Sequence, residues 1–185
     1  MALAHFLYQP VEFRTSRSCT GDPMRVRKIS EEDVGGFIDC YIDIWKSLEG
    51  VLPDVYVRDQ VERASGAAFR DNLPAKISDP ARIILAAIVE KKIIGLAWGD
   101  IREDGSSWLS FLGVSPGHRR EGVGKALLVR FIEESKEKGS RKISLNTDPR
   151  LVPAIKLYLD TGFLPDGVTT NQYGFELIVY SMVIA

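Results

Sequence analysis

Residues 115–139 read SPGHRREGVGKALLVRFIEESKEKG, and the chemistry of the chain changes inside this stretch. It opens as a loop rich in Gly and Arg. It continues as a helix whose core stripe is Val123, Leu127, Leu128, Phe131 and Ile132. Lys136 and Lys138 stand near the helix end, where cations suit the dipole, and Gly139 closes it. A short Gly-rich turn running into a helix aims several unpaired backbone N–H groups at one point, at the positive end of the helix dipole. Such a turn binds phosphate. Gly122 and Gly124 let the backbone approach an anion closely, while Arg119, Arg120 and Lys125 add charge. A Walker A loop needs a glycine where Arg119 stands and a Ser or Thr where Ala126 stands, so that pattern fails. A dinucleotide fingerprint needs a third glycine at Leu127, and fails too. The pattern that fits is Arg-x-x-Gly-x-Gly, filled by Arg119, Arg120, Glu121, Gly122, Val123 and Gly124.

On the N-terminal side the loop is preceded by sheet. Residues 82–90 are β-branched and almost wholly apolar, as a strand covered on both faces should be. A tight turn at Lys91-Lys92 leads into residues 93–101, and a turn with the Asp104-Gly105 pair leads into residues 108–114. Three strands joined this way make an antiparallel meander. Further upstream, Ser30 and the acids Glu31, Glu32 and Asp33 mark a helix start, with Val34, Phe37, Ile38, Tyr41, Ile44, Trp45 and Leu48 on one face. A weaker helix is expected over residues 57–71, closed by Pro74, and residues 24–29 alternate as a first strand. Downstream of the motif helix come a strand at 141–146, a short helix carrying Ala154, Ile155, Tyr158 and Leu159 that ends at Gly162, and a terminal strand at 176–184.

The 185 residues are 45% apolar and 26% charged, enough for a sizeable core and too apolar for a disordered chain. Basic and acidic residues number 24 and 25, so a nucleic-acid binder relying on bulk charge is not expected. No apolar run reaches the ~20 residues that span a bilayer, so no membrane partner is expected either. The start, MALAHFLYQPVEFR, lacks the basic segment of a signal peptide. Cys19 and Cys40 form no disulfide framework, and neither they nor His5 have metal-ligand spacing, so a cytoplasmic protein without a metal is expected. Residues 1–23 lack periodicity and read as an N-terminal extension, with Met24 an alternative start, and residues 24–185 as a single domain.

Taken with its surroundings, the Arg119–Gly124 loop resembles the acyl-CoA-binding motif of the GNAT family of N-acetyltransferases. A second stretch, residues 154–163 (AIKLYLDTGF), is similar to the family's Ala-Ile-x-Leu-Tyr-x-x-x-Gly-Phe segment. The resemblance covers residues 24–185 and implies an α/β (mixed α+β) fold, a central, mostly antiparallel twisted sheet of about six to seven strands flanked by about four helices. It implies acetyl-CoA as co-substrate. The pyrophosphate would lie on the amides of Arg119, Arg120, Glu121, Gly122, Val123 and Gly124, with Lys125. The pantetheine would pair along the strand before the loop at Leu112 and Val114. Gly113 stands where a bulge or splay would open the sheet to admit it.

The resemblance further implies direct attack of an amine on the thioester, with Tyr158 as the general acid that protonates the departing thiolate. Tyr158 also reads as a core aromatic, since it shares a face with Ala154 and Ile155. An alkylamine of pKa about 10.4 is about 99.9% protonated at neutral pH, so a base or water chain must deprotonate it. The family's early-strand Glu is replaced by Trp108, which leaves Asp100, Glu103, Asp148 or ordered water. The Asn that opens the second segment in many members is Leu151 here, and Asn146 is the residue that can replace its contact to the pantetheine. His118 reads as an exposed residue beside the phosphate site, and Cys40 lies off the apolar stripe of its helix. The acceptor is a primary amine, either of a small molecule or of a protein N-terminus or lysine. Glu49, Asp54 and Asp59 would suit a cationic one. A second reading is a CoA-binding sensor or scaffold without catalysis. Exposed edge strands of such a sheet would also serve a homodimer.

Overall fold

In the computed structural model, residues 23–184 are described. The extension expected over residues 1–23, with His5 and Cys19, lies outside them but for Pro23. Seven strands form one sheet in the order β1-β2-β3-β4-β5-β7-β6. They are β1 (Arg25–Lys28), β2 (Arg82–Val89), β3 (Lys92–Ile101), β4 (Ser106–Val114), β5 (Lys142–Thr147), β6 (Leu164–Thr170) and β7 (Glu176–Val183). Every pairing is antiparallel except β4 with β5. The helices are α1 (Val34–Lys46), α2 (Asp54–Ser65), α3 (Ala67–Ile77), α4 (Val123–Glu137) and α5 (Val152–Thr161).

The unbroken apolar run of β2 now has its explanation. Ile83, Leu85 and Ala87 face a cluster built with α4 and α5, while Ile84, Ala86 and Ile88 face a second cluster built with α1, α2 and α3. Alternation along a strand buried on both sides leaves no polar face to show. On α4, Leu127, Leu128 and Phe131 are fully buried, each contributing about 1.5–3 kcal/mol. Ile132, expected in that stripe, is only partly buried, and Glu134 takes a core position instead. That carboxylate is held by Lys28 Nζ at 2.6 Å and by Arg130, which ties α4 to β1. The helix can lie this close because β3 has no side chain at Gly99, where a Cβ would come within 2.7 Å of the Phe131 ring.

Four expectations change. The helix expected over 57–71 is two helices, broken at Gly66 in an extended conformation, and Pro74 lies inside α3 rather than closing it. The first hairpin turns at Glu90 and Lys91, both at positive φ (48° and 67°), one residue earlier than expected. β6 was not anticipated, because as an almost wholly exposed edge strand it shows no alternation. Cys40 is buried at 4% exposure rather than off the packed face, and burial pushes its thiol up to about 11.

Candidate active site

β4 and β5 run side by side only briefly. They pair from Ser106 with Lys142 to Leu109 with Leu145, and then part. Each keeps its other neighbour: β4 stays on β3 up to Val114 opposite Gly95, and β5 stays on β7 up to Thr147 opposite Ile178. The divergence begins at a bulge. Trp98 pairs with Phe111 and Gly99 with Leu109, so Ser110 is the extra residue on β4. The bulge expected at Gly113 therefore lies three residues earlier, and Gly113 pairs regularly with Leu96 inside the splayed segment. Past Ser110, β4 faces the gap with backbone groups that β5 does not pair, with Leu112, Gly113 and Val114 on that edge. Asn146 stands on the opposite wall. Such an edge is suited to an extended, amide-bearing chain.

The gap leads to the Gly-Arg loop. Arg120 and Gly122 both have positive φ (65° and 83°), so the backbone alternates in hand and its successive N–H groups converge into a nest. Gly122 caps α4, and the first capping bond runs from Ala126 N to Gly122 O at 3.0 Å. The amides of Val123, Gly124 and Lys125 precede that bond and have no helical acceptor. An anion placed there meets several donors and the helix dipole at once. The Arg119 guanidinium does not turn to this nest. Its Nε donates to Val114 O at 3.1 Å and its other end to Ser47 Oγ, bracing the end of β4 against α1. His118 Nδ1 lies 3.3 Å from Glu121 Oε2 at the exposed rim.

Tyr158 projects from α5 at 5% exposure, its ring against Phe163 and Tyr180. Burial alone raises its phenol above the usual value, so the proton stays on at neutral pH. The candidate bases separate clearly. Asp100 pairs with Arg82 at 3.4 Å, and Glu103 lies in the β3–β4 turn, at the closed end of the strands. Trp108, also at the closed end, is covered by the Arg102 guanidinium 4.5 Å from its ring. Asp148 alone stands at the open end, one residue past β5 and 3% exposed. Leu151, in place of the expected Asn, packs against the cluster under α1 to α3.

On that side of the sheet lies an aromatic cluster that residue patterns did not reveal. Tyr56 of α2 meets Trp45 of α1 edge-on (ring centroids 5.1 Å apart) and Tyr173 in the β6–β7 turn at a tilt (5.2 Å). The Tyr173 hydroxyl donates to Asp59, joining that turn to α2. Asn171 Oδ1 shapes the turn by accepting from the amides of Tyr173 and Phe175, both at 3.0 Å. The signal available beforehand was the Asn-Gln-Tyr-Gly run before the last strand, a turn carrying an aromatic ring. Among the described residues no group of His, Cys, Asp and Glu is arranged to hold a metal, and no helix is long and apolar enough to cross a membrane.

A sheet parted beside a nest of unpaired amides is an arrangement suited to an extended chain that carries an anion. Residues 37–163 match the profile of the acetyltransferase (GNAT) family, and the chain belongs to that family. It is 30% identical over 97 residues to a mycothiol acetyltransferase of Saccharopolyspora erythraea, covering 50% of this chain and 32% of that one. An uncharacterized N-acetyltransferase of Mycobacterium tuberculosis is 29% identical over 110 residues, 60% of this chain and 68% of that protein. The chain thus spans about a third of the length of the mycothiol acetyltransferases it matches. Among solved structures, the PaiA N-acetyltransferase of Thermoplasma acidophilum in complex with coenzyme A superposes with TM-score 0.74 at 21% identity, over 87% of this chain and 99% of that one. The ribosomal-protein-S18-alanine N-acetyltransferase of Escherichia coli does so at 0.63 and 16%, over 88% and 94%. Both share the mixed α/β fold.

Proposed function

We propose that this chain is an acetyl-CoA-dependent N-acetyltransferase acting on a primary amine, with residues 24–185 as its catalytic domain and 1–23 as an extension. The observation that carries the reading is the β4–β5 splay ending on the Arg120–Lys125 amides. In this reading the pyrophosphate takes the amides of residues 120–125, the expected Arg119 amide being turned instead to Pro116 O, and the pantetheine takes the edge at Leu112, Gly113 and Val114, with Asn146 opposite. A β4 amide polarises the thioester carbonyl. The neutral amine attacks the thioester carbonyl and forms the new C–N bond, the tetrahedral intermediate collapses with loss of the C–S bond, Tyr158 gives its proton to the leaving thiolate, and the proton released by the nitrogen passes through water and restores the phenol. Burial makes Tyr158 a weaker acid than a free phenol, so its contribution belongs at the low end of the usual range, about a hundredfold.

A homodimer is supported by the exposed edge strand β6, where Leu164 and Val168 are 67% and 65% exposed. Cys40, unpaired among the described residues, fits the cytoplasm. The acceptor is a small molecule or the amine of a protein. A CoA-binding sensor without turnover is the second reading, favoured by Trp108 standing where a base is expected. Free-thiol release from acetyl-CoA, assayed across polyamines, aminoglycosides, amino acids and N-terminal peptides, tests the proposal. Amine-dependent release is expected. Silence with tight CoA binding selects the sensor, and silence without binding rejects both.

A further inference from the structure

Arg119 opens the Gly-Arg motif, yet the hydrogen bonds it donates lead away from the amide nest. Its own amide bonds Pro116 O at 3.4 Å and closes the short 3-10 turn over Pro116–His118. Positive φ begins only at Arg120, so the nest starts one residue later. The side chain runs to β4 and α1. Nε donates to Val114 O at 3.1 Å, and the other end of the guanidinium donates to Ser47 Oγ. Ser115 N bonds Ile94 O, so the neighbouring Val114 carbonyl turns away from β3, toward the gap. Ser47 is the C-cap of α1, and its hydroxyl donates onward to Ile44 O at 2.6 Å. A cation held at that end of a helix also suits the dipole.

Two further contacts seat the same stripe of α1 on the end of β4. A Cβ at Gly113 would come within 2.8 Å of Ile44 Cγ2, so the helix rests on bare backbone there. One turn earlier, Cys40 Sγ lies 3.5 Å from Ser115 Oγ. Residues 40, 44 and 47 thus follow the open edge of β4. Beyond Ser47 the chain turns into α2, with the amides of Leu48, Glu49, Val51 and Leu52 bonded to the carbonyls of residues 45, 46 and 48. α2 in turn holds Tyr173 through Asp59.

We infer that Arg119 is a positioning residue that couples acyl-CoA binding at the loop to the α1–α2 turn through Ser47, so that an occupied donor site firms the wall expected to face the acceptor. The inference rests on the acetyl-CoA reading of the loop. An anion seated in the nest fixes the amides that bind it, and with them the backbone from which Arg119 projects. The planar guanidinium holds two acceptors on different elements in one fixed relation, which a flexible side chain would not do. Tightening the loop therefore tightens the turn, and the coupling is reciprocal.

Hydrogen exchange of the full chain, followed by NMR without CoA and at a CoA concentration that calorimetry shows to be saturating, reads the coupling at the amides of Leu48, Glu49, Val51 and Leu52. CoA should slow these amides about tenfold in the wild type. Ser47→Ala should bring that factor below about twofold, and Ser47→Thr, which keeps a hydroxyl, should restore it. A Ser47 that only stiffened the turn would leave the factor intact, because exchange would then rise equally with and without CoA. Arg119→Met should lose the factor as well and add nothing in the Ser47→Ala background. Should Ser47→Ala not fold, Arg119→Met decides from the other end of the contact. CoA binding with unchanged exchange at these amides overturns the inference alone, as does a full factor in Ser47→Ala. Absence of any CoA binding removes the donor-site reading and the coupling with it.

Discussion

Gly124→Glu separates stability from ligand binding, because the two should move in opposite directions. A Cβ at position 124 would lie 3.4 Å from Leu157 Cδ2 and 3.6 Å from Val114 Cγ2, ordinary contact distances, so the backbone accepts a side chain. It would point into the space between the end of β4 and α5, the mouth of the splay. Replacing glycine early in α4 gains helix propensity, and a carboxylate in the first turn suits the dipole, together worth about 1 kcal/mol. The same carboxylate would face the pyrophosphate. At roughly 6 Å and an effective dielectric of about 20, each pair of like charges costs about 3 kcal/mol, or about a hundredfold in affinity. Calorimetric titration with CoA and urea unfolding of the same preparation check both halves. The expected result is a protein at least as stable as the wild type that binds CoA more than about a hundredfold more weakly. Gly124→Ala, with no charge, should stay within about fivefold of wild type. Unchanged CoA affinity in Gly124→Glu would refute the placement of the anion at this helix start.

Tyr158→Phe should lower turnover about a hundredfold with CoA affinity unchanged, and equal turnover would retire Tyr158 as the proton donor. Gly122→Ala forces a side chain into the left-handed conformation at φ 83°, costing about 1–2 kcal/mol in urea unfolding and loosening the amide nest. The pair formed by Arg27 and Asp33 joins β1 to the start of α1, and the Arg27 guanidinium holds the Asp33 carboxyl down at about 2 from its usual 3.8. A depressed carboxyl stabilises the fold above its unfolded value, and that stability is lost as pH falls from about 4 to about 2. With Arg27 half exposed the contribution is about 1 kcal/mol, so Asp33→Asn should be less stable by that amount at neutral pH and converge with the wild type near pH 2.

What the sequence made legible was what periodicity and local chemistry carry. The apolar stripe from Val34 to Trp45, the three-strand meander and the Gly-Arg turn are each readable from neighbours a few residues apart, and each is present. The boundary between α2 and α3 was hidden because their apolar faces are weak, with Val57, Ala64 and Leu73 the buried residues. β6 was hidden because an exposed edge strand need not alternate. The site split along the same line. The loop and Tyr158 sit on elements with local signatures, whereas the bulge at Ser110 depends on register with β3. Arg119 reaching Ser47 and Tyr173 reaching Asp59 are products of chain segments brought together from afar, and no local pattern encodes them.

The central claim is that the splay between β4 and β5 and the loop after it form one acyl-CoA site. Backbone amide shifts of the isotopically labelled full chain, followed during titration with acetyl-CoA, test it residue by residue. The account predicts that the largest changes fall on residues 110–114 of β4 and on residues 120–125, with Asn146 responding across the gap. Changes confined to other surfaces, or none at millimolar acetyl-CoA, would contradict it.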